Sequence, residues 1–291
     1  MTKSAHGVTL MIAGVALLTA YDAISKHLAQ SHPVGQVICL RQAATLLFIV
    51  PYIMAATGWR ALRVVSWPGQ LARGMLFVVN AVLIVLALKL LPLATVITIM
   101  FSSPIFIAFF SAPLLAERVA PARWSAVLAG FAGVLIVIRP GAAAFEWALL
   151  VALGAAAANA LRDIMTRRLA RTETSIAILF WSTLLVMAAG ALTAPLGWKP
   201  ITLDAAAWFV GAGLFGAAGH FLMIEAFRLA EAAAVSPMRY SALLWGTVIG
   251  FAAWGEVPDA WVLTGSAVII ASGIAMMRAG GAESSPAAPG R

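Results

Sequence analysis

Charge is scarce in this chain. Asp, Glu, Lys and Arg together make up 10% of its 291 residues, whereas they make up about 25% of an average soluble domain. A water-soluble globule of this size needs more charge than this to cover its surface. The single cysteine, Cys39, excludes an intramolecular disulfide and argues against a thiolate metal cluster. The shortage of charge excludes an ordinary soluble enzyme and, with so much apolar sequence, a disordered protein.

Long basic runs are also missing, although the net charge is +8 and the isoelectric point is near 10.6. The Lys and Arg residues stand singly between apolar stretches, without the interleaved aromatics of a nucleic-acid module. What the chain has instead is 63% hydrophobic residues and a mean hydropathy of +0.98. This combination is typical of a polytopic membrane protein whose cytoplasmic loops carry Lys and Arg. It excludes nucleic acid as a partner.

Ten apolar segments follow one another, and a membrane-spanning helix needs about 20 such residues. They cover residues 8–28, 34–57, 69–88, 93–115, 122–138, 146–167, 174–194, 204–228, 233–254 and 260–277. Short polar or turn-forming stretches separate them, such as HP at 32–33 and GEVPD at 255–259. Because the alternation that marks strands is absent, the pattern predicts an all-α membrane protein with ten transmembrane helices.

The distribution of basic residues indicates the orientation. With the N-terminus in the cytoplasm, 13 Lys and Arg residues fall on the cytoplasmic side, among them Arg73 and Arg162. Five fall outside, among them Lys26 and Arg41, and Arg239 is not counted because it lies within a span. The positive-inside rule therefore predicts cytoplasmic N- and C-termini.

An internal repeat of about 140 residues divides the spans into two sets of five. DAISKHLAQ at 22–30 matches DIMTRRLAR at 163–171 with an offset of 141, and the offset 139 pairs Glu117 with Glu256. Since five is odd, the second half enters the membrane inverted relative to the first. Inverted repeats are a common construction in secondary transporters, which place the solute near the midplane between the halves.

The ends of the two halves resemble the EamA repeat of the drug/metabolite transporter superfamily. Residues 113–141 and 236–278 each contain an apolar helix, a terminal Glu, a short loop and a Gly-punctuated helix that ends in Arg. The resemblance implies two inverted five-helix repeats at residues 1–141 and 142–278, followed by a disordered cytoplasmic tail at 279–291. It also implies a multi-pass permease of the bacterial inner membrane. Its members often export amino acids or related metabolites, and the chain is similar to bacterial aromatic-amino-acid exporters as well.

The predicted function is the export of small metabolites, most of all amino acids, by alternating access around a central cavity. An exporter or exchanger of another metabolite or drug-like solute, such as a purine or an organic cation, is the alternative. A channel lacks a repeated filter, and an integral-membrane enzyme lacks H-E-x-x-H and G-x-S-x-G. The sequence therefore predicts no enzyme, no cofactor and no metal site. The predicted partners are the bilayer and a small-molecule substrate, and both a monomer and a homodimer are compatible with the sequence.

Polar residues inside the spans are the candidates for the cavity wall, because such groups are costly in contact with lipid. They are Asn80, Ser103, Asn159, His220, Arg239 and Tyr240. Hydrogen-bonded packing is the alternative role for each of them. Pro104 and Pro237 lie beside three of these residues, where they disfavour a continuous helix. The resemblance implies that spans one, three and four face spans six, eight and nine.

Three local acid–base pairs are candidate gates or structural ion pairs. Asp22 with Lys26 and Asp163 with Arg167 are spaced i,i+4, and Glu225 with Arg228 is spaced i,i+3. A further motif, GAGLFG at 211–216, matches a dinucleotide fingerprint, but it lies inside an apolar span and not after a strand. Its glycines predict close helix packing instead.

The orientation can be tested by single-cysteine labelling in intact cells after Cys39 is replaced by serine. Positions near 60 and 170 should be protected from an impermeant reagent, and positions near 30 and 198 should be labelled. The reverse pattern would contradict the cytoplasmic placement of both termini.

Overall fold

The computed structural model describes residues 3–115, 121–139, 146–229 and 236–283, which form helices and turns without a strand. The helices are α1 (Lys3–Ser31), α2 (Val34–Tyr52), α3 (Trp67–Leu90), α4 (Leu93–Met100), α5 (Ser103–Leu115), α6 (Pro121–Ile138), α7 (Ala148–Leu169), α8 (Ser175–Ala191), α9 (Leu203–Leu229), α10 (Ser241–Trp254) and α11 (Ala260–Glu283). A π turn at Ile53–Thr57 extends α2, and 3₁₀ turns lie at Trp59–Leu62, Ala194–Leu196 and Ser236–Tyr240.

Six helical stretches are long and apolar enough to cross a membrane: Ala5–Ser31, Val34–Thr57, Trp67–Leu90, Ala148–Thr166, Ser175–Leu196 and Leu203–Met223. Shorter apolar helices cover Leu93–Ile107, Leu128–Ile138 and Ala260–Ala275. The chain is therefore an all-helical, multi-pass membrane protein. In the part of the chain that the structure describes, each of the ten predicted segments falls mainly on helix, and six stretches satisfy the length and hydropathy of a complete span.

Prolines divide the fourth and ninth predicted segments. α4 ends at Met100 and α5 begins at Ser103, immediately before Pro104. The segment that contains Pro237 begins as the 3₁₀ turn Ser236–Tyr240 and becomes α-helical at Ser241. Because proline lacks an amide N–H and its ring clashes with the preceding turn, it fits best near the start of a helix.

The last helix extends beyond its predicted end. α11 continues to Glu283, so the tail predicted to be disordered from residue 279 begins as helix. Residues 284–291, and the predicted boundary between the two halves at 141, lie outside the described residues.

Contacts between the helices agree with the predicted arrangement of the spans. α1 packs along α9 and contacts α10, while α3 packs along α7. α4 contacts α7 and α10, and α5 contacts α7. α2 packs against α8 and α9, and α6 packs along α11. The first, third and fourth segments thus face the sixth, eighth and ninth across the middle of the bundle.

Glycines allow the closest approaches between these helices. A Cβ atom added to Gly213 of α9 would lie 2.5 Å from the carbonyl carbon of Ala44 in α2, and one added to Gly14 of α1 would lie 3.0 Å from the Gly219 oxygen. Gly211, by contrast, has open space, with Ile24 the nearest side chain at 3.9 Å. The GAGLFG motif therefore serves helix packing, as the sequence predicts, because it lies within α9.

Two alanine substitutions separate this packing role from helix propensity. Gly213→Ala should destabilise the protein by about 1–3 kcal/mol, because the added methyl group clashes with the Ala44 backbone. Gly211→Ala gains the same helix propensity without a clash. It should therefore keep the melting temperature of the wild type or raise it. Thermal unfolding of both variants in detergent measures the difference. Equal melting temperatures for the two variants would contradict the close α2–α9 contact.

Candidate functional site

A buried ion pair joins the C-terminal end of α1 to the turn after α10. The Lys26 Nζ atom lies 2.6 Å from Oε1 of Glu256, and Lys26 also donates to the Leu91 carbonyl at 2.5 Å. The other carboxylate oxygen of Glu256 accepts a 2.8 Å hydrogen bond from the Leu93 amide. These four residues, called the Lys26 closure below, hold α1, α4 and α10 together at one end of the bundle.

The backbone after α10 aims Glu256 at α1. Gly255 adopts φ +68°, in the left-handed region, and its amide donates to the Phe251 carbonyl while the Glu256 amide donates to the Gly250 carbonyl. The left-handed Gly255 with its bond to Phe251 is the αL cap that ends many helices. Lys26 thus pairs with Glu256 and not with Asp22, which corrects the pairing predicted from local spacing. The reason is that the turn and the Leu93 amide hold the Glu256 carboxylate in place.

A second polar group spans α5 and α7. The Asn159 side chain donates to the Ser103 hydroxyl at 2.9 Å and lies 3.5 Å from Oδ2 of Asp163. Oδ1 of Asp163 is 2.8 Å from Nη2 of Arg162. Ser103, Asn159, Arg162 and Asp163 are called the Asp163 row below. Arg162 is not among the site residues predicted from the sequence, which places it with the charges on the cytoplasmic side.

The charged pair of the Asp163 row is only partly buried. The Arg162 and Asp163 side chains are 21% and 37% exposed, although their helix packs against α3, α4 and α5. The Arg162 guanidinium lies 5.2 Å from the centre of the Phe77 ring on α3. A cation, a carboxylate, an amide and an aromatic face therefore meet on one wall of the bundle.

His220 faces this wall from α9. Its Nδ1 donates to the Gly216 carbonyl at 2.8 Å, which leaves Nε2 for another partner. The side chain is exposed, and both Arg162 and Arg239 act on it electrostatically. α7 and α9 do not pack along one another in the described residues. The region between α7 and α9, bordered by Arg162 on one helix and His220 on the other, is called the opening below.

Tyr240 and Arg239 occupy the 3₁₀ turn before α10. The half-buried Tyr240 ring packs edge-on against Phe101, with 5.0 Å between the ring centres, and its hydroxyl abuts Gly273 of α11. Arg239 is exposed. Tyr240 thus packs against the break between α4 and α5, whereas Arg239 stays available to the opening beside His220.

Asn80 differs from its predicted place on the cavity wall. It is 5% exposed, and its amide donates to the Ala155 carbonyl at 2.9 Å. Ser103 is equally buried and reaches the opening only through Asn159. Asn80 therefore joins α3 to α7 and is a packing residue.

Two arginines counted as loop charges lie inside the bundle. Arg41 of α2 is 3% exposed, donates to the Ser25 hydroxyl at 2.9 Å and lies 4.6 Å from the centre of the Tyr21 ring. Arg73 of α3 donates to the Thr166 hydroxyl at 2.7 Å and also to Ser182. Hydroxyl and aromatic partners thus accommodate both guanidinium groups without an ion pair among the described residues.

The remaining predicted pairs are only partly described. The side chains of Arg167 and Arg228 lie outside the described residues, so the pairs Asp163–Arg167 and Glu225–Arg228 stay predictions. Glu225 itself is half-buried on α9. Among the described residues, no group of three His, Cys, Asp or Glu side chains is placed to hold a metal ion.

Taken together, apolar helices long enough to cross a membrane and a few polar groups between them define a multi-pass membrane protein. The chain belongs to the EamA-like transporter family, whose sequence model matches residues 5–139 and 146–278. It is therefore a transporter and not an enzyme, as the sequence predicts.

Named relatives are transporters too. The chain is 26% identical to the S-adenosylmethionine uptake transporter of Rickettsia bellii, over 91% of this chain and 90% of the relative. It is 28% identical to the riboflavin transporter of Vibrio cholerae, over 82% and 81%. It is 26% identical to the pseudopaline exporter CntI of Pseudomonas aeruginosa, over 94% and 96%. A solved crystal structure shares the fold, with a TM-score of 0.66 and 21% identity over 96% of this chain and 99% of that chain.

The two asparagines should respond differently to the same substitution. Asn80→Ala removes a buried hydrogen bond and should cost about 1–3 kcal/mol of stability. Asn159→Ala should leave the melting temperature nearly unchanged and weaken solute binding, because this half-buried amide borders the opening. Thermal unfolding and solute binding on the same purified samples measure both effects. Loss of binding with full stability in Asn80→Ala would contradict its packing role.

Proposed function

We propose that this protein exports amino acids and similar small zwitterionic metabolites, including aromatic and apolar ones, by alternating access around the central opening. The observation that carries the proposal is the Asp163 row, in which Arg162 and Asp163 present adjacent opposite charges. Arginine pairs with carboxylates through planar, two-point hydrogen bonds, and an aspartate complements an ammonium group. A zwitterionic head group thus matches the row in both charges.

Apolar and aromatic surroundings favour the rest of such a solute. Phe77 lies against Arg162, and the exposed His220 ring faces the row from α9. A sugar phosphate would need several basic groups around one site, whereas the Asp163 carboxylate would repel the phosphate. The names of the relatives differ in solute and in direction, so amino acids as solutes and the outward direction rest on the site and on the family resemblance.

Alternating access is supported by the packing of the two halves. Exchanging the halves maps the α1–α9 contact onto α7–α3 and the α2–α9 contact onto α8–α3. This correspondence is what two five-helix repeats in inverted orientation would produce. With both termini in the cytoplasm, as the basic residues indicate, the Lys26 closure lies at the outer face of the bacterial inner membrane. The opening beside Arg239 then leads toward the cytoplasm.

Uptake into liposomes that contain the purified protein tests the solute class. Phenylalanine and methionine should show saturable exchange, and glucose 6-phosphate and spermidine should not. Asp163→Asn should weaken phenylalanine transport about tenfold or more, because it removes the partner of the ammonium group. Asp259→Asn is the matched control, since Asp259 pairs with Arg139 at an exposed site. Transport of the phosphate or the polyamine with the amino acids ignored would contradict the proposal.

A further inference from the structure

Asp22 of α1 and Arg41 of α2 carry opposite charges on neighbouring helices, and their side chains do not form an ion pair. Asp22 is half-buried on α1 and takes part in none of the ion pairs of the described residues. Arg41 acts on Asp22 electrostatically. The Arg41 guanidinium instead donates to Ser25 through Nη1, and its Nε is buried without a hydrogen-bond partner in the described part of the chain.

A buried guanidinium nitrogen without an acceptor is costly. An ionised Asp22 would attract it, and a protonated Asp22 would not. The protonation state of this carboxyl thus decides whether α1 and α2 are drawn together beside Ser25.

Asp22 also lies close to the Lys26 closure along α1. It precedes Lys26 by four residues, so the two side chains share one face of α1, with Asp22 one turn deeper than the Lys26 closure. The closure therefore separates Asp22 from the outer solution in this conformation, and opening it would expose the carboxyl to that side.

The charged groups around Asp22 come from few elements. α2 supplies Arg41, α1 supplies Tyr21 and Lys26, and α10 supplies Glu256, which is already bound to Lys26. α3, α4 and α9 present apolar side chains at this level, such as Ile84, Val96 and Phe215. The turn that carries Arg239 packs nearer the N-terminal end of α1, beside Met11 and Val15.

We propose that Asp22 is a proton-coupling site, which binds a proton from the outer solution and releases it to the cytoplasm as solute leaves. This rests on the proposed transport function. The step is an acid–base exchange: the carboxylate takes up one proton when the Lys26 closure is open, and the carboxyl group returns it when the opening faces the cytoplasm. Sequence reasoning favours facilitated transport or exchange, because it finds few carboxylates near the midplane. The position of Asp22 on α1, one turn from the Lys26 closure and without an ion pair in the described residues, singles out one.

Infrared difference spectra of the solute-free protein test the site directly. On acidification the wild type should show a carboxyl band with a component that belongs to Asp22. Asp22→Asn should lose this band, and Asp204→Asn, at the exposed start of α9, should keep it. A wild-type spectrum without a component that depends on Asp22 would overturn the proposal, whatever the solute is.

Phenylalanine transport in liposomes tests the coupling. With the membrane potential clamped at zero, a gradient of about one pH unit should concentrate phenylalanine about tenfold for one proton per solute. Asp22→Asn should abolish this accumulation but keep phenylalanine–phenylalanine exchange within about threefold, and Asp22→Glu should retain part of the accumulation. Wild-type exchange without a response to pH would overturn the coupling and leave transport standing. Lack of exchange for every amino acid would count against the transport function, and the infrared titration would still decide the role of Asp22.

Discussion

The low polarity of the bilayer interior is the constraint on which this structure depends. A charge there must find a partner or a polar opening, and a backbone group must be satisfied within its own helix. The charged side chains inside the bundle therefore determine how its helices meet. Lys26 and Glu256 bind α1 to the end of α10, and Arg73 fastens α3 to α7 and α8 through hydroxyl groups. Where these bonds are complete, the helices are fixed.

Movement needs contacts that are close but not directional. Gly14 and Gly219 let α1 and α9 approach with little side-chain interlocking, and Gly213 does the same for α9 against α2. Small residues at such interfaces bring helix backbones together by van der Waals packing alone. The strong polar bonds lie at the ends and on the wall of the opening. A change in those few bonds can therefore shift whole helices along smooth contacts.

Sequence reasoning predicts what depends on local composition. Hydropathy predicts the apolar segments on which the described helices lie, and Pro104 and Pro237 coincide with the two interrupted segments, because each effect acts within a few residues along the chain. Partner choice is not local. Spacing predicts Asp22 for Lys26, yet the partner is Glu256, which is 230 residues further along the chain. Arg41 and Arg73 looked like loop charges because hydropathy does not show the hydroxyl and aromatic partners that their neighbours provide.

Asparagines show the same limit at the site. Asn80 and Asn159 are both amides within apolar spans, and nothing in their sequence neighbourhoods separates a packing role from a solute contact. Only the fold does so, by placing Asn80 against the Ala155 carbonyl and Asn159 beside Ser103 and Asp163. The repeat does set Arg162 apart in the sequence. The offset of 141 aligns this arginine with Tyr21, so the two halves differ in charge at the position before the aligned aspartates.

The difference between these aligned positions gives the two ends of the transporter different chemistry. The offset of 141 pairs Tyr21–Asp22 with Arg162–Asp163. In the second half the aspartate meets a cation from its own helix, and the pair stays partly exposed. In the first half the cation comes from α2 and rests on the Tyr21 ring, so the aspartate is left without direct contact. One difference between equivalent positions thus gives Asp163 a cation on its own helix and leaves Asp22 without an ion pair in the described residues. A carrier built from matching halves needs such a difference if its two faces are to perform different steps.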